Sequence, residues 1–360
     1  MAIEQSQSLF NLAFQRFKKN RLGMLSFFYI LFIGLIAVFA YFIAPDPSSN
    51  ANQMHLEIHS MPPGFSADML YISSEPQKRD WKSWFIGYSP SGREIPISSS
   101  DLRNNHIYYT PYGVEDQSMV QNLDLSEYPN TRVYSKTFYW GTDKYGRDVL
   151  SRMIIGARIS FFIGFIAVLI SLIVGISLGA IAGYFGGKVD ALIMWFINVT
   201  WSIPTLLLVI AITLALGKGY WQVFIAVGLT MWVEVARVVR GQVMSLKNVQ
   251  YVEAAKALGY TDLRIITKHI LPNIMAPVIV ISAANFASAI LIESGLSFLG
   301  IGAQPPTPSW GGMIKDHYNY MIMGKAYLAI IPGLAIMSLV LAFMMLGNTL
   351  RDVLDVKKEA

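Results

Sequence analysis

Residues 159–184 read "ISFFIGFIAVLISLIVGISLGAIAGY", a run without a single charged side chain. A helix needs about 20 consecutive, mostly apolar residues to cross the hydrocarbon of a bilayer, and this run is long enough. It also lacks the alternation of polar and apolar residues that a strand of a membrane β-barrel shows. The run therefore predicts a transmembrane α-helix.

Five other apolar runs of similar length occur in the chain, and the composition agrees with a protein embedded in lipid. Charged residues make up 14% of the 360 residues, against roughly 25% in an average soluble domain. The sequence thus predicts an all-α polytopic membrane protein with six transmembrane helices. The six runs lie at about 24–44, 159–184, 189–216, 220–238, 275–298 and 327–347.

The distribution of Lys and Arg predicts the orientation, because cytoplasmic loops carry the excess of positive charge. Both termini and the loop between the fourth and fifth runs are therefore expected in the cytoplasm. The net charge of +5 is explained by this asymmetry and by lipid headgroups, without a nucleic-acid partner. The cytoplasmic charges are Arg16, Lys18, Lys19, Arg21, Arg237, Arg240, Lys247, Lys256, Arg264, Lys268, Arg351, Lys357 and Lys358, and the opposite loops hold Lys218, Lys315 and Lys325.

The chain divides into three predicted parts. Residues 1–45 form the cytoplasmic N-terminus and an uncleaved first anchor, which exceeds the roughly 7–15 apolar residues of a signal peptide. Residues 46–140 form a small extracytoplasmic insertion, and residues 141–356 form the membrane core. The insertion is expected to be partly β, since "NHIYYTPYGV" (105–114) and "TRVYSKTFYW" (131–140) read as strands. The chain contains no cysteine, so no disulfide holds the insertion together.

Three glycines recur at four-residue spacing in the second run, at Gly175, Gly179 and Gly183. Because glycine has no side chain, this face of the helix lets another helix approach closely, and helices in lipid associate by such packing. The neighbouring helix belongs either to the same chain or to a partner, and the sequence leaves both interpretations open.

The third run contains "NVTWSIPTLLL" (198–208), in which Pro204 removes a backbone donor and is expected to kink the helix. The polar residues around it either line a pathway or satisfy the freed carbonyl groups, and neither interpretation is favoured. These residues are Asn198, Thr200, Ser202 and Thr205.

The fifth run carries Ser282, Asn285 and Glu293, which share one side of a helix within an arc of about 80°. A carboxylate inside a membrane is costly, so Glu293 is a candidate pathway or gating residue. It lies near the end of its run, however, and could instead reach water or cap a neighbouring helix.

Motifs for catalysis and nucleotide binding are missing from the sequence. There is neither an H-E-x-x-H nor a G-x-S-x-G motif, so no catalytic or metal site is predicted. The nearest approach to a phosphate-binding loop is "AGYFGGKVD" (182–190), which has Ala182 in place of the first glycine and Val189 after the lysine. The chain is therefore expected to be no enzyme and to bind no ATP by this motif.

The stretch "VEAAKALGYTDLRIITKHILPN" (252–273) is the polar exception between two apolar runs. "EAAKAL" favours a helix, Gly259 suits a left-handed position after its end, and Thr261 or Asp262 can cap a second helix. Pro272 is expected to end that second helix. Within it, Leu263, Ile266 and Ile270 are predicted to share one face.

Three interpretations compete for this stretch. A helix-turn-helix DNA reader is disfavoured, because a recognition helix tethered between two membrane spans could hardly enter a major groove. An amphipathic helix lying on the bilayer surface is possible in principle. The third interpretation, a docking element for a cytoplasmic protein, is favoured.

The same stretch resembles the coupling loop of ABC-importer permeases. Glu253, Ala254, Ala255, Gly259 and Leu271–Pro272 match in register, while His269 stands at the usual Ile position. "KHILPN" (268–273), together with "ARVVRGQVMSLKNVQYVEAAKALG" (236–259), is similar to the peptide and nickel permease subfamily.

Two further stretches resemble the C-type permease subunit of dipeptide and oligopeptide importers. They are "WGTDKYGRDVLSRMIIGARIS" (140–160) and "ESGLSFLGIGAQPPTPSWGGMI" (293–314). The resemblance covers the N-terminal anchor and about 140–356. It does not cover about 46–138, which is longer than the family leads us to expect.

The resemblance implies the membrane-spanning subunit of an ATP-driven peptide importer of the cytoplasmic (inner) membrane, working by alternating access. Two cytoplasmic ATP-binding subunits would bind the ATP and Mg, so this chain needs no cofactor. A second, homologous permease would complete the pathway. An extracytoplasmic binding protein would dock on the outer loops 141–158 and 303–318, of which 141–158 could also be an interfacial helix capped by Thr142–Asp143.

Site residues follow from the same resemblance. A coupling loop at 240–273 would contact an ATPase, and the pathway would be lined from this side by Pro204, Ser282, Asn285 and Glu293. Import of nickel or another small solute is the alternative, and an ATP-independent secondary transporter or channel is a remote one. The coupling residues are Glu253, Ala254, Ala255, Gly259, Asp262, His269, Leu271 and Pro272.

Overall fold

A computed structural model describes residues 9–354 with gaps at 78–79, 115–119 and 218. Part of the orientation prediction rests on Lys218, Lys357 and Lys358, which lie outside the described residues. So do residues 1–8 and the last residues of the predicted core, 355–356.

Long apolar helices dominate the described part of the chain. Five of them are long and apolar enough to cross a membrane, and a bent pair makes a sixth span if it is counted as one. The predicted all-α polytopic membrane fold is therefore confirmed. The helices are α1 (Leu9–Lys19), α2 (Arg21–Val38), α3 (Ala40–Ile43), α4 (Ser83–Ile86), α5 (Val149–Phe185), α6 (Gly187–Trp201), α7 (Thr205–Leu216), α8 (Tyr220–Leu246), α9 (Gln250–Ala257), α10 (Asp262–Arg264), α11 (Met275–Phe298), α12 (Trp310–His317) and α13 (Tyr327–Leu354).

The third apolar run is broken rather than kinked. Its two halves, α6 and α7, meet at an angle of 92°, and Pro204 stands directly before α7. The hydroxyl groups of Thr200 and Ser202 donate to the carbonyl groups four residues earlier, at 2.9 and 2.8 Å. The carbonyl of Asn198 also accepts the backbone N–H of Ser202 at 3.0 Å, so the hydroxyl bonds add to the backbone bonds at the end of α6.

The predicted helix end at Pro272 is wrong. The helical chain passes from α10 through a π-helical segment, Ile265–Ile270, and a 3-10 segment, Leu271–Ile274, into α11. Proline has no N–H and its ring crowds the carbonyl group four residues earlier. The change to π and 3-10 hydrogen bonding replaces the α-helical pattern around Pro272, so the chain continues without a turn.

The chain forms two compact units. The first comprises Met1–Ile33, Ser160–Leu296 and Ala335–Ala360, and the second comprises Gly34–Ile159 and Ser297–Leu334.

In the first unit, α5 packs closely against α8 along the glycine stripe. A Cβ atom added at Gly175 would lie 2.6 Å from Cβ of Val235, and one at Gly183 would lie 2.8 Å from the carbonyl oxygen of Arg240. Real Cβ atoms do not approach other atoms so closely, so only glycine fits. The close helix contact is thus made within the chain.

The second unit contains a five-stranded antiparallel sheet, with the order β4-β3-β2-β1-β5 among the described residues. The predicted partly β insertion is confirmed, since 105–114 contains β3 and 131–140 contains β5. One face of the sheet packs around Leu70, Ile97, Ile107 and Tyr109. The strands are β1 (Phe65–Ile72), β2 (Arg93–Arg103), β3 (His106–Pro111), β4 (Gln121–Asp124) and β5 (Arg132–Phe138).

The predicted cap at Thr142–Asp143 is wrong, because α5 begins only at Val149. The carboxylate of Asp148 accepts the backbone N–H of Ser151 at 2.8 Å and so caps the helix. Thr142 and Asp143 are fully buried in the preceding turn. There Thr142 bonds to the backbone of Ile58 and Met61.

Candidate functional site

Residues 240–273 contain the strongest sequence motif and run from the last turns of α8 through the loop that precedes α11. The first helix of this loop, α9, ends in a Schellman turn. The N–H of Tyr260 donates to the carbonyl of Ala255 at 3.2 Å, and the N–H of Gly259 donates to that of Lys256 at 2.9 Å. This turn requires a left-handed residue, and Gly259 has φ +75°. The glycine therefore fixes the direction in which the chain leaves α9.

One face of the loop is anchored in the core of the first unit. Val252, Ala255, Ile265 and Ile270 are buried in a cluster with residues of α5 and α8. Leu263, predicted to share this face, is instead 72% exposed. The prediction assumed α-helical spacing, whereas the chain enters a π segment at Ile265 and so presents a different set of residues.

Polar and aromatic contacts hold the loop from the side. The hydroxyl of Tyr184, near the end of α5, donates to the carboxylate of Asp262 at 2.7 Å. The ring of Tyr260 stacks on His269, with 5.6 Å between ring centroids. The guanidinium of Arg264 lies 4.1 Å from the centroid of the same Tyr260 ring. Asp262 and His269 thus make contacts that position the loop.

The opposite face of the loop is exposed and partly apolar. Glu253 and Ala254 are exposed, and Leu258 and Leu263 are each 72% exposed. We call these four residues the loop surface. Ala255 is only 4% exposed and does not belong to it. Leu258 was not among the predicted coupling residues, and Leu263 was predicted to share a face with Ile266 and Ile270. Large apolar residues on both sides of a glycine turn were the available signal for this surface.

The remaining matched residues of the motif lie in the 3-10 segment Leu271–Ile274, directly before α11. Leu271 is half-buried against the core cluster, and Pro272 is exposed. The side-chain amide of Asn273 donates to the carbonyl of His269 at 2.7 Å.

The polar stripe of α11 points largely into protein. The hydroxyl of Ser282 donates to the carbonyl of Val278 at 2.6 Å, and Asn285 and Glu293 are each 1% exposed. Glu293 therefore neither reaches water nor lies on an open surface. Pro204, in contrast, is exposed at the break between α6 and α7.

An open cavity of about 340 Å³ lies beside that break, in the first unit. It is bordered by the break itself, by α8 and by α11, and one of its residues is the exposed carboxylate Glu234. We call it the Glu234 groove. Its other polar or aromatic lining residues are Thr200, Trp201, Thr205, Thr230 and Ser288.

In the second unit, the two predicted docking loops meet. Residues from 141–158 and from 303–318 line one cavity of about 480 Å³. The ammonium of Lys144 lies 3.1 Å from the carboxylate of Asp316, and the indole N–H of Trp310 donates to the carbonyl of Met153 at 3.0 Å.

A buried ion-pair network supports this region. The carboxylate of Asp143 lies 2.6 Å from Nε of Arg147 and 3.7 Å from Nε of Arg152, and all three side chains are nearly inaccessible. Burial lowers the pKa of His317, which lies close to this network. Buried charges need such partners to offset their loss of hydration.

These long apolar helices, with a polar loop packed between two of them, place the chain in the class of polytopic membrane proteins. The chain belongs to the family described as the binding-protein-dependent transport system inner membrane component, which matches residues 175–358. Residues 8–63 match the N-terminal TM domain of oligopeptide transport permease C. The predicted membership is thus confirmed.

Similar curated proteins carry related names. The chain is 40% identical over 251 residues to the dipeptide transport system permease protein DppC of Bacillus subtilis (strain 168), covering 69% of this chain and 76% of that protein. It is 42% identical over 250 residues to the oligopeptide transport system permease protein OppC of Haemophilus influenzae (strain ATCC 51907 / DSM 11121 / KW20 / Rd), covering 69% and 78%.

A third relative is similar to this chain over nearly its whole length, including the insertion at 46–140. The dipeptide transport system permease protein DppC of the same Haemophilus influenzae strain is 34% identical over 341 residues, which is 95% of this chain and 92% of that protein. The expectation that the resemblance stops short of 46–138 is therefore wrong.

Among solved structures, the inward-facing MetNI methionine ABC transporter has a TM-score of 0.47 and 17% identity, covering 56% of this chain and 95% of that chain.

Proposed function

We propose that this chain is one of two membrane-spanning permease subunits of an ATP-driven importer of di- and oligopeptides in the inner membrane. The observation that carries the proposal is the loop surface, an exposed partly apolar face on a loop whose other face is fixed in the core. The names of the relatives support peptides as the cargo.

The coupling step follows from the shape of the loop. Two cytoplasmic ATPase subunits bind ATP and Mg, and one of them receives α9 through Glu253, Ala254 and Leu258. Because helical backbone continues from Asp262 to Phe298, a displacement of the loop passes directly into α11. ATP then favours one conformation of the assembly over the other, which is alternating access by population shift.

The other partners follow from the rest of the chain. An ATPase dimer offers two docking grooves, so a second, homologous permease supplies the second loop and the other wall of the pathway. On this side, Pro204 and Ser282 stand at the wall, while Asn285 and Glu293 support it from within. An extracytoplasmic binding protein delivers peptide to the cavity formed by 141–158 and 303–318. Both termini face the cytoplasm, and lipid surrounds the spans.

The parts of the chain follow the same scheme. Residues 1–45 anchor the N-terminus, residues 46–140 form the extracytoplasmic insertion, and residues 141–356 form the permease core with its coupling loop at 240–273. The chain itself performs no catalysis.

Reconstitution tests the proposal. The chain is purified with its second permease and ATPases, placed in liposomes, and supplied with the binding protein and labelled dipeptide, oligopeptide or Ni²⁺. We expect peptide uptake that requires ATP. Uptake without the ATPases would instead make the protein a secondary transporter or channel, and uptake of Ni²⁺ alone would make nickel the cargo.

A further inference from the structure

We propose that the carboxylate of Glu234 binds the cationic amino terminus of the peptide during its passage through the membrane. The inference rests on the proposed function, because it assigns a contact on the route of that cargo.

The position of Glu234 in its helix is the first observation. It lies near the middle of α8 (Tyr220–Leu246), a span by length and composition. Its side chain is exposed, whereas those of Val233 and Val235 on either side are buried. In the apolar run 220–238, Glu234 lies one turn before Arg237, towards the cytoplasmic end. A carboxylate that faces hydrocarbon inside such a run is unfavourable, so such residues border water, protein or a polar solute.

The surroundings of Glu234 suit a peptide. The Glu234 groove combines the hydroxyl groups of Thr205 and Ser288, which can bond to peptide amides, with exposed apolar surface of Leu291 and Trp201, which can receive apolar side chains. Its volume of about 340 Å³ falls within the roughly 300–1,000 Å³ of small-ligand sites.

The charge of Glu234 is not neutralised within the described residues, none of which forms an ion pair or hydrogen bond with it. The nearest cation along the helix, Arg237, contacts Trp201 at the wall of the groove and forms no ion pair with Glu234. Its guanidinium lies 3.6 Å from the ring centroid of Trp201, and one of its nitrogens lies 3.5 Å from the side-chain oxygen of Asn198.

A cation from outside the chain is therefore the missing partner. The α-ammonium group is the one cation that every peptide with a free amino terminus carries, whatever its sequence. A single carboxylate in a groove of mixed polarity would hold this group while leaving the side chains of the cargo unspecified.

The test uses the complete reconstituted importer and the tripeptide Phe-Ala-Ala. We expect Glu234→Gln to lower ATP-dependent uptake about tenfold, which corresponds to about 1.4 kcal/mol, and Glu234→Asp to retain most of it. Glu127→Gln makes the same chemical change on an exposed loop of the second unit and serves as the matched control.

A second measurement identifies the contact itself. A carbodiimide added during turnover joins a carboxylate to an amine that touches it, with loss of water, and peptide mapping locates the new amide. We expect the tripeptide on Glu234. Normal uptake by Glu234→Gln would overturn the inference. Tripeptide recovered only on other carboxylates would overturn it as well. Failure of the wild-type complex to import any peptide would instead contradict the proposed function.

Discussion

Glu94 shows how one buried carboxylate can hold a soluble segment together in a chain without disulfides. It lies on β2 and is 4% exposed, with the ammonium of Lys136 at 3.1 Å and Nε2 of His55 at 3.3 Å. The hydroxyl of Tyr134 also donates to it. Burial alone would raise the pKa of Glu94, but the polar contact with His55 and the charge of Lys136 lower it to about 2.

A lowered pKa makes the sheet sensitive to acid. The folded-state pKa of Glu94 is below its unfolded value of 4.5. The ionised carboxylate therefore contributes fully to the free energy of unfolding above pH 4.5, and this contribution is lost as the pH falls towards 2. The difference corresponds to about 3 kcal/mol. Hydrogen exchange of β1, β2 and β5 in the full-length protein, followed from pH 6 to pH 3, should show falling protection. In the Glu94→Gln variant, the amides of these strands should be less protected at pH 6, and their protection should change little with pH. A fall in protection as steep as in the wild type would contradict this prediction.

Gly259 allows a second test at the scale of one residue. A Cβ atom at this position would meet nothing within 4 Å, so Gly259→Ala acts only through the left-handed backbone, at a cost of about 1–2 kcal/mol. We expect the loop to become more accessible to protease and uptake per ATP hydrolysed to fall. Gly333→Ala in α13 is the control, since its Cβ has an ordinary contact of 4.0 Å and no positive φ. Equal behaviour of the two variants would contradict a fixed turn.

At the scale of the secondary-structure elements, the close contact between α5 and α8 is expected to stabilise the first unit. A Cβ atom at Gly179 would lie 2.9 Å from Cβ of Val239 and 2.5 Å from the carbonyl oxygen of Ala236. Gly179→Ala should therefore push the helices apart and cost about 1–3 kcal/mol. Thermal unfolding in detergent, followed by size-exclusion chromatography, measures the loss. Gly241→Ala in α8 is the control, because a Cβ atom there would meet nothing within 4 Å. Equal losses from the two variants would contradict a close contact at Gly179.

The same elements show what could be predicted from sequence. The spans were predictable because a long uninterrupted apolar run is stable in few environments other than a membrane. The turn at Gly259 was predictable because a glycine directly after a helix adopts the left-handed conformation that ends it. At Pro204 and Pro272 the local rule is the same, a missing donor, yet one proline accompanies a 92° break and the other lies within a continuous helix. Whether the helix breaks or continues at a proline depends on packing against segments that are distant in sequence. The Glu234 groove depends on such packing as well, because it is lined by residues from the break, from α8 and from α11.

At the scale of the whole molecule, the loop surface must meet another protein if the chain is an importer subunit. Leu258→Glu would place an unpaired carboxylate in that contact, at a cost of about 2 kcal/mol or more, which weakens binding about thirtyfold or more. Folding should be little affected, since Leu258 is 72% exposed in the single chain. Co-purification of the ATPases with the permease pair measures the effect.

Leu102→Glu is the matched control for this change. Leu102 is 66% exposed on β2, in the segment proposed to lie on the other side of the membrane, so its variant should retain the ATPases. Loss of the ATPases from both variants would indicate a general defect in assembly. Retention by Leu258→Glu would remove the loop surface from the docking contact and leave the buried face of the loop with a purely internal role.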